Sequence, residues 1–174
     1  NAFAGSLRNV AALLAAGNAT RVYDVSLGGF DTHVNQAGNH ANLLKTLSEG
    51  LAAFQRDLEG KQLDGQVLTM TFSEFGRRPS ENESRGTDHG TAAPLFVLGA
   101  GVKAGIHGTA PNLDLDRNED LTYSTDFRSV YATVLDRWLH CDAKAVLGSN
   151  HKTLDFVRTV SLTLGLPFLR ASVD

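Results

Sequence analysis

A single cysteine, Cys141, is all the thiol chemistry in this chain of 174 residues, so no internal disulfide can staple it and no thiolate cluster can hold a metal. Charge of one sign is missing too. Sixteen Lys and Arg against 19 Asp and Glu leave a formal net charge of -3 and a pI near 6.1, which give no general attraction to nucleic acid or to anionic membrane surfaces. The basic residues are dispersed except at Arg77-Arg78. No apolar run is long enough to insert into a membrane, and no amino-terminal segment joins basic residues to an apolar run and a small-residue cleavage site. The chain starts at Asn1 without methionine, which suggests a processed or truncated product with any export signal upstream. What is present is apolar side chain: 42% hydrophobic residues in this length build one domain with a proper core, and not two.

Hydrophobic spacing divides the chain. Residues 2–16 carry Phe3, Leu7, Val10 and Leu14 on one helical face, with Gly17 as the stop. Residues 20–27, with Val22, Tyr23, Val25 and Leu27, predict a strand that ends at Gly28-Gly29. Residues 39–59 place Leu44, Leu47, Leu51, Phe54 and Leu58 on one face of a long helix closed by Gly60. The run 67–72 is a short buried strand leading into Ser73-Glu74-Phe75-Gly76, followed by a polar loop to about Ala93 whose length marks a functional excursion. Residues 94–98 predict a third strand, and 126–139 a helix burying Phe127, Val130, Tyr131, Val134, Leu135 and Trp138. Alternating strands and helices predict an α/β fold with a mostly parallel sheet flanked by helices. The segment 153–174, interrupted by Gly165 and Pro167, has no assigned place.

Three clusters of metal-ligand types stand near predicted strand ends. Asp31 and His33 follow the glycine pair, Glu74 lies two residues past Phe72, and Asp88-His89 precedes Gly90. In open α/β sheets ligands gather at the carboxyl ends of strands, so these loops are expected to meet at one site. Each cluster also has a bland reading: an Asx turn at Asp31, a surface ion pair between Glu74 and Arg77, and a loop His-Asp pair at Asp88-His89. Arg77 and Arg78 have guanidinium groups shaped for phosphate or sulfate. His40 reads as structural and His107 as exposed. Gly99-Ala100-Gly101 followed by Gly105 has the wrong last spacing for a dinucleotide loop, and Pro111 interrupts the helix such a loop needs.

The motifs GGFDTH (28–33), TFSEFGRRPSEN (71–82), GTDHGTAAPLFVLGAGVKAG (86–105) and TDFRSVYATVLDRWL (125–139) occur in the order and spacing of a bacterial family called "domain of unknown function 1501". The resemblance covers roughly residues 1–150. That family is similar to the alkaline phosphatase and sulfatase superfamily, and its members commonly carry a twin-arginine export signal. The resemblance implies a partial alkaline-phosphatase-like domain over 1–152, equivalent to the carboxyl-terminal portion of the larger domain, with 153–174 as an unplaced tail. It also implies a periplasmic or extracellular setting. Asp31 matches a zinc-binding aspartate, and His89 matches a later metal-binding histidine. The histidine expected four residues after Asp31 is Asn35 here, with His33 as its substitute. Glu74 stands where the superfamily has an aspartate, and Phe75 where it has a second histidine. No residue matches the superfamily nucleophile.

The function expected from these residues is a fragment of a metal-dependent hydrolase of phosphate or sulfate esters. Asp31, His33, Glu74, Asp88 and His89 would hold a divalent ion, zinc, calcium or manganese, and Arg77 and Arg78 would meet a small anionic substrate. The alternative is a secreted binding or scaffold protein that keeps the fold without catalysis, favoured by Asn35 and Phe75 at ligand positions. Nucleic acid is not an expected partner.

Overall fold

The computed structural model describes residues 1–116, 119–158 and 167–173. The first helix, α1 (Ala2–Ala15), starts where the Asn1 side chain accepts a hydrogen bond from the Ala4 N–H at 2.9 Å, and it buries Phe3, Leu7, Val10, Ala11 and Leu14. Strand β1 (Val22–Ser26) follows, then α2 (Gln36–Gly60), which buries Leu47, Gly50, Leu51, Phe54 and Leu58. Leu44 is exposed, whereas Leu43 packs on the core. A core-facing stripe 43–47–50–51–54–58 keeps to one side of the helix, and Leu44 lies a further 100° round it.

Among the described residues the remaining strands are β2 (Leu68–Phe72), β3 (Gly76–Arg77), β4 (His89–Gly90), β5 (Val97–Leu98) and β6 (Phe168–Ser172). The main sheet has the order β1-β6-β2-β5, with β6 parallel to both β1 and β2 and β5 antiparallel to β2. The fold is therefore mixed α/β with a mostly parallel four-stranded sheet flanked by helices. The antiparallel edge departs from the parallel third strand that alternation suggests. Between β2 and β5 the chain forms only the short β3–β4 hairpin, without the helical crossover a parallel return requires. From the segment left without a place, residues 168–172 form the strand between β1 and β2; residues 159–166, with Gly165, lie outside the described residues.

Strand alternation sends β6 side chains to two cores. Leu169 and Ala171 join α1, α2, Tyr23 and Val25 on one face of the sheet. Phe168 joins Leu68, Met70, Val130, Val134 and Trp138 on the other. The second core rests on α3 (Phe127–Thr133), capped by the Asp126 carboxylate accepting from the Arg128 N–H, and on a π-helical turn at Val134–Trp138. An Leu139 N–H to Val134 carbonyl bond of 2.9 Å closes that wider turn, so 126–139 is not one regular α-helix. It sets Trp138 fully inside, its indole N–H donating to the Pro167 carbonyl at 2.9 Å. Phe127, expected in the core, is 57% exposed on the first turn, where it packs edge-on against Tyr131. The short α4 (Ala143–Leu147) completes the helices among the described residues, starting where Asp142 accepts from the Ala145 N–H and ending at Gly148.

Candidate metal centre

β1 and β2 run the same way on either side of β6, so the loops leaving Ser26 and Phe72 depart from one edge of the sheet. After β1, side chains alternate between anchor and display. Phe30 and Thr32 are buried, while Asp31 is exposed and His33 half-buried. The polar loop after β2 returns to this place as the β3–β4 hairpin, with Arg77 opposite His89 and Gly76 opposite Gly90. Two glycines make that return possible. A Cβ on Gly76 would lie 1.9 Å from the Ala92 carbonyl oxygen, and one on Gly86 would lie 2.2 Å from the His33 carbonyl. Backbone approaches backbone there more closely than any side chain permits.

The approach brings Asp31, His33 and His89 into one group whose ligand atoms all lie within 4.8 Å of one another. Asp31 Oδ1 is 2.7 Å from His89 Nε2 and 2.9 Å from His33 Nε2, and the two Nε2 atoms are 3.2 Å apart. On its other side, His33 turns Nδ1 toward Asp88 Oδ1 at 3.6 Å. Asn82 braces this pair, its Nδ2 donating to the His33 carbonyl at 3.1 Å and to Asp88 Oδ1 at 3.2 Å. Its Oδ1 accepts from the Ser84 and Gly86 N–H groups at 2.9 and 3.0 Å. The hydrogen bond from His89 holds the Asp31 carboxyl below its ordinary pKa, with the His33 and Arg77 charges adding to the effect. The Asp88 carboxyl is lowered too, first by the Asn82 amide and then by His33.

The other candidates fall around this triangle. Glu74 is exposed at the β2 exit and is not one of the three clustered ligands. There the Ser73 hydroxyl donates to the Phe75 carbonyl at 2.8 Å, and the turn directs Phe75, rather than Glu74, onto His89. The Phe75 and His89 rings stack with centroids 3.9 Å apart and planes 7° from parallel. Arg77 donates from Nη1 to the Thr87 carbonyl at 2.7 Å and from Nη2 to the Phe30 carbonyl, and Nη2 reaches Asp31 Oδ1 at 3.4 Å. It ties the Asp31 loop to the hairpin. Arg78 pairs through Nε with Asp120 at 3.0 Å. His40 lies apart from the triangle, edge-on to Phe30, and His107 hydrogen-bonds the Lys103 carbonyl.

Sequence reading missed Asn82 and gave Phe75 no partner. Asn82 carried a usable signal, since an asparagine in a polar loop commonly accepts from the backbone N–H two residues on, as it does here from Ser84. For Phe75 the resemblance pointed to the site, by putting it where a ligand histidine is expected, but only the hairpin register puts it beside His89.

Three side chains from two separate loops thus present one carboxylate oxygen and two imidazole nitrogens to one point. Such a set suits zinc or another borderline divalent ion, with coordination positions left over for water or substrate. No curated protein and no solved structure matches this chain. A family model described as "Protein of unknown function (DUF1501)" matches residues 6–152, a span that holds the whole triangle together with Asp88, Asn82 and Phe75, and the chain belongs to that family.

Proposed function

We propose that Asp31, His33 and His89 bind a divalent metal ion and that this ion serves hydrolysis of phosphate or sulfate esters. The observation that carries the metal reading is the triangle of donor atoms, with edges of 2.7, 2.9 and 3.2 Å. Hydrogen bonds alone satisfy it badly. If both imidazoles donate from Nε2 to Asp31, their N–H groups oppose one another, and if only one donates, a lone pair faces the carboxylate. A cation turns all three contacts favourable. For bonds of about 2.0–2.1 Å, a tetrahedral site has donors roughly 3.3 Å apart, so a small outward shift of the three atoms admits zinc. Asp88 behind His33 supports the same reading, since a ligating histidine commonly offers its second ring nitrogen to a carboxylate that fixes the tautomer.

Three protein ligands leave the ion a free position, the pattern of catalytic rather than structural zinc sites. There it would polarise an ester oxygen as a Lewis acid, with the negative charge of the transition state accumulating beside it. The alkaline-phosphatase-like resemblance of the motifs supports phosphate or sulfate esters as the substrate class and an exported setting. The attacking nucleophile is assigned to no residue of this chain. Elemental analysis after dialysis against zinc, manganese and calcium tests the first step, with about one ion per chain expected. Loss of uptake in Asp31→Ala and His89→Ala is expected; unchanged metal content in both would refute the site. Turnover of aryl phosphate and aryl sulfate esters by the metal-loaded protein tests the second step.

The second reading is a metal-binding scaffold without catalysis. Arg77 favours it, because its two terminal amino groups serve the Thr87 and Phe30 carbonyls and its Nε is buried, rather than standing open to an anion. Metal uptake with no ester turnover would select it.

A further inference from the structure

The two histidines of the triangle are held in different ways. His33 has Asp88 and the Asn82 brace behind it. His89 has no such support: among the described residues its Nδ1 has no hydrogen-bond partner, and its ring is 46% exposed. An exposed imidazole linked to the backbone by two rotatable bonds does not keep one orientation unless something restrains it. Asp31 holds Nε2 at one point and the His33 ring meets it only at a tilt of 37° with centroids 4.8 Å apart, so the contact that fixes the plane of the ring is Phe75, stacked nearly parallel at 3.9 Å.

Hairpin register explains how Phe75 gets there. Arg77 and His89 are directly paired across β3 and β4, so their side chains stand on the same face. Phe75 lies two residues before Arg77 and returns to that face by the period of extended chain, diagonal to His89. The Arg77 guanidinium carbon lies 5.0 Å from the Phe75 ring centroid, and the same side chain donates to the Phe30 carbonyl and approaches Asp31. Phe75 is therefore held between the residue that ties down the Asp31 loop and the imidazole that meets Asp31.

We infer that Phe75 is a positioning residue for the metal centre: its flat ring fixes the plane of His89 so that Nε2 faces Asp31 and His33. This rests on the metal reading for its functional meaning, while the orientation of His89 can be measured without any metal. A phenylalanine at a polar loop position thus has a task that no ligand could perform. An aliphatic residue of similar volume would fill the space without setting an angle.

The test compares wild type with Phe75→Tyr, Phe75→Leu and Phe75→Ala. In the metal-free chain, the carbon-bound ring protons of His89 are expected to show upfield ring-current shifts in wild type and Phe75→Tyr, and to lose them in Phe75→Leu and Phe75→Ala. Titration with cobalt(II) then reads the centre through its visible absorption, which responds to ligand number and geometry. Phe75→Leu and Phe75→Ala are expected to bind cobalt at least about tenfold more weakly with an altered spectrum, and Phe75→Tyr to restore both. A wild-type His89 without ring-current shifts would overturn the proposal, as would wild-type cobalt affinity and spectrum in Phe75→Leu. Ring-current shifts in a wild-type chain that takes up no cobalt would support the positioning of His89 and refute the metal reading instead. Because Phe75→Leu keeps apolar volume, the test survives misfolding of Phe75→Ala.

Discussion

The central sheet and the hairpin that bears the proposed metal centre are built on opposite principles. In the sheet, β6 is surrounded by side-chain volume: Leu169 and Ala171 are fully buried on one face, and Phe168, Leu68 and Trp138 pack on the other. In the hairpin, side-chain volume is what must be absent, since Gly76 and Gly86 let backbone segments touch and polar groups of Asn82 and Arg77 hold them there. The sheet should therefore fail globally when it loses atoms, and the hairpin locally when it gains them.

The sharpest way to break that contrast is to remove volume from the sheet. Leu169→Ala should cost roughly 2–5 kcal/mol and lower the melting temperature by on the order of 10 °C, read by calorimetry. If it merely disturbs metal binding and leaves the melting temperature alone, the division is wrong. Adding one methyl group to the hairpin comes next. Gly86→Ala should leave the melting transition within a few degrees of wild type while reducing zinc affinity by about a hundredfold, because the His33 backbone must move to admit it. Equal losses of stability and affinity would show that hairpin and sheet form one cooperative unit.

A milder probe removes the polar brace alone. Asn82→Ala should lower zinc affinity about tenfold, by freeing Asp88 and the His33 carbonyl, with the core transition unchanged in a thermal scan. Acid supplies the smallest effect. The hydrogen bonds from Arg128 hold the Asp126 carboxyl at about 2, so it stays charged in the folded chain where the unfolded chain takes up a proton. That contribution is complete above the unfolded value of about 4 and disappears as pH falls through about 2. The lowered Asp31 and Asp88 carboxyls follow the same sign, so both the α3 cap and the site contacts should outlast mild acid. Carbon-13 titration of the three carboxyls checks this, and an ordinary value at Asp126 would remove the cap from the account.

Much of the sheet was legible because burial writes itself into spacing. The α1 stripe, the α2 stripe from Leu47 to Leu58 and the apolar runs of β1 and β2 all read directly. The errors fall where burial and local pattern part company. Leu44 and Phe127 are apolar but stand on turns that reach beyond the core, and β6 lies within the segment 153–174, which had no assigned place. In the site, Asp31, His33 and His89 could be named because ligand chemistry is restricted to few residue types, and a strand end explains why they meet. Glu74 shares that chemistry and that location, yet it sits in the bend between β2 and β3, and which residue of a bend faces the site is invisible without the structure. Phe75 gained its neighbour from the hairpin register.

The position of β6 also dictates an order of events. Strands β1 and β2 are neighbours only through a partner that comes 146 residues after Asp24, the separation across which Arg170 and Asp24 form their ion pair. Until residues 168–172 are available, neither strand has its parallel ladder, and α1 and α2 can collapse only on an incomplete surface. Closing so long a loop costs little extra free energy but makes productive encounters rare, which slows folding more than it weakens the product. During synthesis the three proposed ligands are all made well before the sheet edge that should hold them exists. An ion met at that stage would find three side chains on a floating chain, so the proposed site would bind tightly only after β6 has paired with β1 and β2.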